Sequence, residues 1–175
     1  TLALNLALGL VCTSYENVLI ISNEVISNYY KNLLSAIVCQ NVFKYYSLTR
    51  KKISRNEFSN QEEKDVLIKA NEFIKDSFKG KLKFLSVPTF NKDNICSIIK
   101  REKLRNNMRY VILDTFKYEN GAGSSANIAT ELVDTSREID AIATEYDVGV
   151  ILPVQLLVSS DKTSFLTSAS LTFAK

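Results

Sequence analysis

Four short runs of aliphatic and β-branched residues punctuate the chain: Val18-Leu19-Ile20-Ile21, Leu82 to Val87, Tyr110-Val111-Ile112-Leu113 and Val148 to Leu152. Each is separated from the next by at least one stretch with helical spacing. Runs without polar alternation are typical of strands covered on both faces. Strands that alternate with helices of roughly ten or more residues cannot pair as hairpins, and they imply a mainly parallel sheet joined by right-handed crossovers. The expected fold is α/β, doubly wound.

The intervening segments supply the covering layers. Thr1 to Cys12 is apolar on nearly every side, as in a helix packed between a sheet and its neighbours. It has no basic leader and is too short to cross a bilayer, which disfavours the alternative of a signal peptide. Between Val25 and Phe43, the residues Ile26, Tyr30, Leu33, Leu34, Ile37 and Val38 fall on one stripe, and the basic stretch Leu48-Thr49-Arg50-Lys51-Lys52 reads as a loop. A second stripe runs through Val66, Leu67, Ala70, Phe73, Ile74 and Phe78 to Gly80, a residue suited to closing a helix. Asp93 to Arg105 is expected to turn Ile95, Ile98, Ile99 and Leu104 inward. The loop Asn120 to Ser125 precedes a long helix with its stripe at Ile128, Leu132, Ile139, Ile142, Ala143 and Tyr146.

With 175 residues and 46% apolar content, residues 1–175 are expected to form a single domain with a real core. Cys12, Cys39 and Cys96 lie far apart, without metal-ligand or redox spacing, and read as buried free thiols in a reducing cytoplasm. The absence of histidine excludes the common zinc sites, Ser-His and Cys-His pairs, and imidazole acid–base chemistry. A net charge of +3 does not by itself mark a nucleic-acid protein, because phosphate binding depends on clustered charge.

In doubly wound sheets ligands bind beyond the carboxyl ends of the strands, so polar residues there matter most. Three stand out. Asp114 follows four apolar residues, the pattern of a Walker B strand whose carboxylate orients magnesium through its water shell, although an acid in that place also serves as a helix cap. Glu24 lies just past the first strand, where it could act as general base or complement the following helix dipole. Gln155 follows the fourth strand and could cap it or sense a phosphate.

The order of these residues resembles DnaB-type replicative DNA helicases over nearly the whole chain. Thr1-Leu2-Ala3-Leu4-Asn5-Leu6-Ala7 is similar to the helix directly after the family's phosphate loop, which places Thr1 at the nucleotide. Val18 to Glu24 resembles the strand bearing the catalytic glutamate, and Arg109 to Asp114 resembles the Walker B strand. Glu131 to Gln155, with Ser136-Arg137-Glu138-Ile139 and Val148-Gly149-Val150-Ile151, resembles the helix and strand that end in the γ-phosphate-sensing glutamine.

The resemblance implies a three-layer RecA-like P-loop NTPase domain, truncated at both ends relative to the family. It would use ATP and Mg2+ in a hexameric homo-oligomer on single-stranded DNA, in the cytoplasm, with primase or a helicase loader as further partners and no membrane. Glu24 and Gln155 would be catalytic, and Asp114 would hold the metal. Lys117 and Lys162 fall where the family's central loops meet DNA. The chain also departs from the pattern. The loop G-x-x-x-x-G-K-[ST] is absent, Leu157 and Val158 stand after Gln155 where a polar residue and an arginine are usual, and Thr172 replaces a basic residue. These departures favour an alternative, a catalytically degenerate RecA-like subunit with an assembly or regulatory role in DNA replication. The basic runs Arg50, Lys51, Lys52, Arg55 and Lys100, Arg101, Lys103, Arg105 read as solvated faces. A small-molecule enzyme on a flavodoxin-like sheet shares the architecture, but no nucleophile motif or dinucleotide glycine fingerprint accompanies it.

Overall fold

Strand β1 (Val18–Ser22) is buried at every residue and has a parallel partner on each side. The computed structural model describes residues 2–88, 90–115 and 125–153, with side chains from residue 133 onward in the last stretch. Helix α1 (Leu2–Thr13) leads into β1, followed by α2 (Ser27–Asn41), α3 (Arg50–Arg55), α4 (Gln61–Phe78), β2 (Leu82–Ser86), α5 (Lys92–Asn106), β3 (Tyr110–Asp114), α6 (Ser125–Tyr146) and β4 (Gly149–Ile151). Among the described residues the sheet order is β2-β1-β3-β4, all parallel.

Alternate residues of the central strands feed two separate cores. Val18, Ile20 and Ile112 pack with Ala3, Leu4, Ala7, Val11, Tyr30 and Leu34 of α1 and α2. Leu19, Ile21, Val111 and Leu113 pack with Ile95, Ile98 and Ile99 of α5 and Ile139 of α6. The result is helices, sheet, helices, as expected. The step from β1 to β2 uses one face, whereas β2 to β3 and β3 to β4 run the opposite way over the other face. A reversal of direction with a reversal of face keeps every crossover right-handed.

Two helices turn differently from their apolar patterns. In α5 the buried positions are Ile95, Ile98, Ile99 and Glu102, while Leu104 is 69% exposed. Leu104 lies nine residues from Ile95, which at about 100° per residue puts it on the opposite side of the helix. Glu102 is tolerated inside because Lys83 Nζ (2.6 Å), Asn106 Nδ2 (2.6 Å) and Arg101 Nε (3.3 Å) all donate to its carboxylate. Burial pushes its pKa up, and these donors outweigh burial and hold it below the usual range. Ile26 is 67% exposed because it is the extended residue that precedes α2, outside the helical stripe.

The stretch read as a loop at Leu48 to Lys52 instead opens α3. Thr49 caps it by accepting from the Lys52 amide (3.3 Å), and Leu48 is fully buried. Glu63 in the first turn of α4 gathers the corner: Lys52 Nζ (2.7 Å) and Ser47 Oγ (3.0 Å) donate to Oε1, and the Ser59 amide (2.8 Å) donates to Oε2. Here a basic run is used for packing. Among the cysteines, Cys39 is buried and Cys96 half-buried, but Cys12 is exposed, since α1 buries the face of Ala3, Ala7 and Val11 instead.

Two outcomes follow for stability. Ile99→Ala, in the core between α5 and the sheet, is expected to cost about 2–5 kcal/mol, whereas Leu104→Ala on the same helix stays within about 0.5 kcal/mol in chemical denaturation. Equal losses would reverse the orientation of α5. The Lys52 ammonium and then the Ser59 amide lower the Glu63 pKa from 4.5 to about 2. A folded pKa below the unfolded one means stabilisation that is present above pH 4.5 and is lost as pH falls through about 2. Glu63→Gln therefore should lower stability at neutral pH and flatten the acid limb across that window, read from denaturation midpoints against pH.

Candidate functional site

The direction of chain travel fixes where a ligand can sit. β1 sends the chain to β2 on one side and β3 sends it to β4 on the other, so their connections part and leave a crevice at the carboxyl ends of the two strands. Register brings Ser86, Ser22 and Asp114 into line at this rim, one from each of β2, β1 and β3. Helix α1 packs across β1 and β3 and reaches β1 through a short turn, which makes it antiparallel to the strands. Its 12 residues span about 18 Å, close to the length of the strand, so its amino end also faces the rim.

Asp114 is half-buried at the end of β3, and the Tyr30 hydroxyl of α2 donates to its Oδ2. Tyr30 is 1% exposed and stacks on Phe84 with ring centroids 5.3 Å apart and 7° between planes. Burial, followed by the Asp114 hydrogen bond and charge, raises the pKa of the phenol, while a hydrogen bond with Ser22 opposes the shift. Ser22 Oγ accepts from the Val25 amide (3.0 Å), and Ser86 Oγ donates to the Val25 carbonyl (3.1 Å). The turn from β1 to α2, which carries Glu24, is therefore tied on both sides. Glu24 itself is exposed, two residues beyond Ser22.

Glu24 and Asp114 thus stand at the ends of adjacent, register-matched strands on one rim. Thr1, Gln155, Lys117 and Lys162 lie outside the described residues, as do Leu157, Val158 and Thr172. The polar residues overlooked in the sequence are Tyr30, Ser22 and Ser86. A signal for Tyr30 was available, since a tyrosine on an otherwise aliphatic buried stripe needs a partner for its hydroxyl.

The donor set bears on what could bind. Among the described residues no cluster of three or more His, Cys, Asp or Glu side chains could cage a metal. A lone carboxylate with a free oxygen at an open rim suits a cation that keeps most of its water and takes its other ligands from a phosphorylated substrate, as magnesium does. The residues fit that group through Asp114. No helix among the described residues is long and apolar enough to cross a membrane.

No family model matches the chain, and no curated protein matches it. Solved structures do. One of them, the ATPase domain of a DnaB-like helicase, superposes with a TM-score of 0.70 at 22% identity, over 94% of this chain and 56% of that one. A DnaB-like replicative helicase, solved in work on its interactions with primase, superposes with a TM-score of 0.67 at 20% identity, over 92% of this chain and 38% of that one. The chain thus spans about half or less of the length of these structures. Its structural neighbours are ATPase domains of DnaB-like replicative helicases, and it has their RecA-like fold.

The tied turn gives a direct check. Ser22→Ala removes the acceptor of the Val25 amide, and loss of about 1 kcal/mol of local stability should speed exchange of that amide roughly fivefold. Unchanged exchange in residue-resolved hydrogen-exchange NMR would show that the turn is held by other contacts.

Proposed function

We propose that this chain is part of the ATP-hydrolysing motor of a DnaB-like replicative helicase, working on single-stranded DNA as a homo-oligomeric, hexameric ring in the cytoplasm. The observation that carries this reading is the pair of acids at the β1–β3 rim, Glu24 and Asp114, in a fold shared with such ATPase domains. Primase is a candidate partner because the similar helicase was solved in that context.

The residues divide the work by position. Asp114, with one oxygen held by Tyr30, offers the other to the water shell of magnesium, and magnesium when bound neutralises charge on the β- and γ-phosphates. Glu24, exposed beyond β1, accepts a proton from the water that attacks the γ-phosphate. Thr1, which precedes α1 in sequence, contributes to the phosphate side of the site. Gln155, past β4, senses the γ-phosphate and passes its loss to the segment containing Lys162, and Lys162 and Lys117 contribute weak DNA contacts. With so little charge there, affinity depends on several subunits acting together.

A second reading, a degenerate RecA-like subunit with an assembly or regulatory role, is motivated by Leu157 and Val158. One experiment separates the two. In the full-length protein, Glu24→Gln should reduce DNA-stimulated ATP turnover by about 10²–10⁴-fold while nucleotide affinity changes less than about twofold. Turnover equal to wild type would remove Glu24 from the mechanism. A wild-type protein that binds nucleotide without turning it over would favour the degenerate subunit.

A further inference from the structure

Tyr30 presents a hydroxyl where packing asks for none. Its ring is fixed between Phe84, stacked at 5.3 Å, and Tyr29, edge-on at 5.9 Å and 86°, inside the core shared by α1, α2 and the sheet. Phenylalanine would fill that space equally well, and a buried hydroxyl is costly unless hydrogen-bonded. Its partner, Asp114, is the rim carboxylate that belongs to a strand.

The hydrogens in this group can be ordered from its two ends. An ionised carboxylate only accepts, and a backbone amide only donates. With Asp114 as the terminal acceptor, Tyr30 spends its proton there and must accept from Ser22. Ser22, having donated to Tyr30, accepts from the Val25 amide. The chain of donors therefore runs Val25, Ser22, Tyr30, Asp114, and its first member is the residue after Glu24. Ser86 holds the same residue from the other side through the Val25 carbonyl. Hydrogen bonds aligned in one direction polarise one another, so the chain is stiffer than its links taken singly.

We propose that Tyr30 is a positioning residue that sets the Asp114 carboxylate for a hydrated divalent cation and, through Ser22, ties that carboxylate to the turn bearing Glu24. The inference rests on the reading of the β1–β3 rim as a nucleotide–magnesium site. By occupying Oδ2, Tyr30 fixes the carboxylate plane and leaves Oδ1 to the open side. Tyr30 need not touch the ion; it acts on the ion through Asp114. Groups that orient a metal-binding side chain in this way commonly alter metal affinity by about 10–100-fold when removed.

The test uses the full-length protein with ADP and Mn2+, free Mn2+ being counted by its EPR signal, and ATP turnover measured against Mg2+ concentration. Tyr30→Phe should weaken Mn2+ binding by at least about tenfold, leave metal-free ADP affinity within about twofold, and regain most of kcat at high Mg2+. Asp114→Asn should weaken Mn2+ binding as well, and adding Tyr30→Phe to it should change the affinity by less than about twofold, because both act through one carboxylate. Wild-type Mn2+ affinity in Tyr30→Phe, or effects that multiply in the double variant, would overturn the proposal in favour of a packing role. Should Tyr30→Phe fail to fold, Ser22→Ala removes the donor behind Tyr30; weaker Mn2+ binding supports the chain of donors, and unchanged binding overturns it. A wild-type protein without ADP-dependent Mn2+ binding would instead overturn the nucleotide–magnesium reading itself, an outcome distinct from any failure of Tyr30.

Discussion

The central pair of strands, β1 and β3, is closed to solvent on both faces, and that closure dictates where chemistry can be placed. Leu19, Ile20, Ile21, Val111, Ile112 and Leu113 have no exposed surface, so no polar side chain could be accommodated along them without a partner. Polar groups are pushed to the strand ends. At the carboxyl ends the register sets Ser22 beside Asp114, and the opposed directions of the outgoing connections open a crevice there. The amino ends serve support: Asn17 donates to the carbonyls of Asn106 and Asn107 at 3.1 and 3.3 Å and accepts the Arg109 amide at 2.9 Å, stitching the entry of β1 to that of β3.

That closure also explains what could be read in the residues. Strands buried on both faces must be apolar throughout, so β1 and β3 stood out as unbroken runs, and the alternation with helices then fixed a parallel sheet. Asp114 and Glu24 were visible because each breaks such a run at its end. Tyr30 was hidden, since its ring satisfies the helical stripe and only its hydroxyl betrays a second role. The errors in α5 and near Lys52 have one cause. A buried glutamate looks like a surface residue in sequence until the lysine, asparagine or amide that neutralises it is brought in from elsewhere in the chain.

Glu63 and Glu102 separate structural carboxylates from candidate functional ones. Both are 3% exposed at the side chain and are surrounded by donors, three at each. A carboxylate with its lone pairs so engaged cannot take up a substrate or an ion without breaking a corner of the fold. Asp114 differs in kind. It is half-buried, with Tyr30 on one oxygen, and it is placed at the rim where neighbouring connections diverge.

The same comparison bears on the basic residues. Much of the charge that looked free in sequence is used within the fold. Lys52 and Lys83 reach Glu63 and Glu102, Arg101 reaches Glu102, Lys100 lies 5.5 Å over the ring of Tyr146, Lys103 donates to the Asp147 carbonyl at 3.3 Å, and Arg50 lies 4.5 Å over Tyr29. Cations held in this way stiffen helix contacts and leave less charge for a phosphate backbone, whose binding strength follows the number of phosphates neutralised. If the chain grips single-stranded DNA as proposed, one copy supplies few contacts. Repetition around a ring would then raise a weak single-site affinity to a useful one, which makes assembly a condition of function.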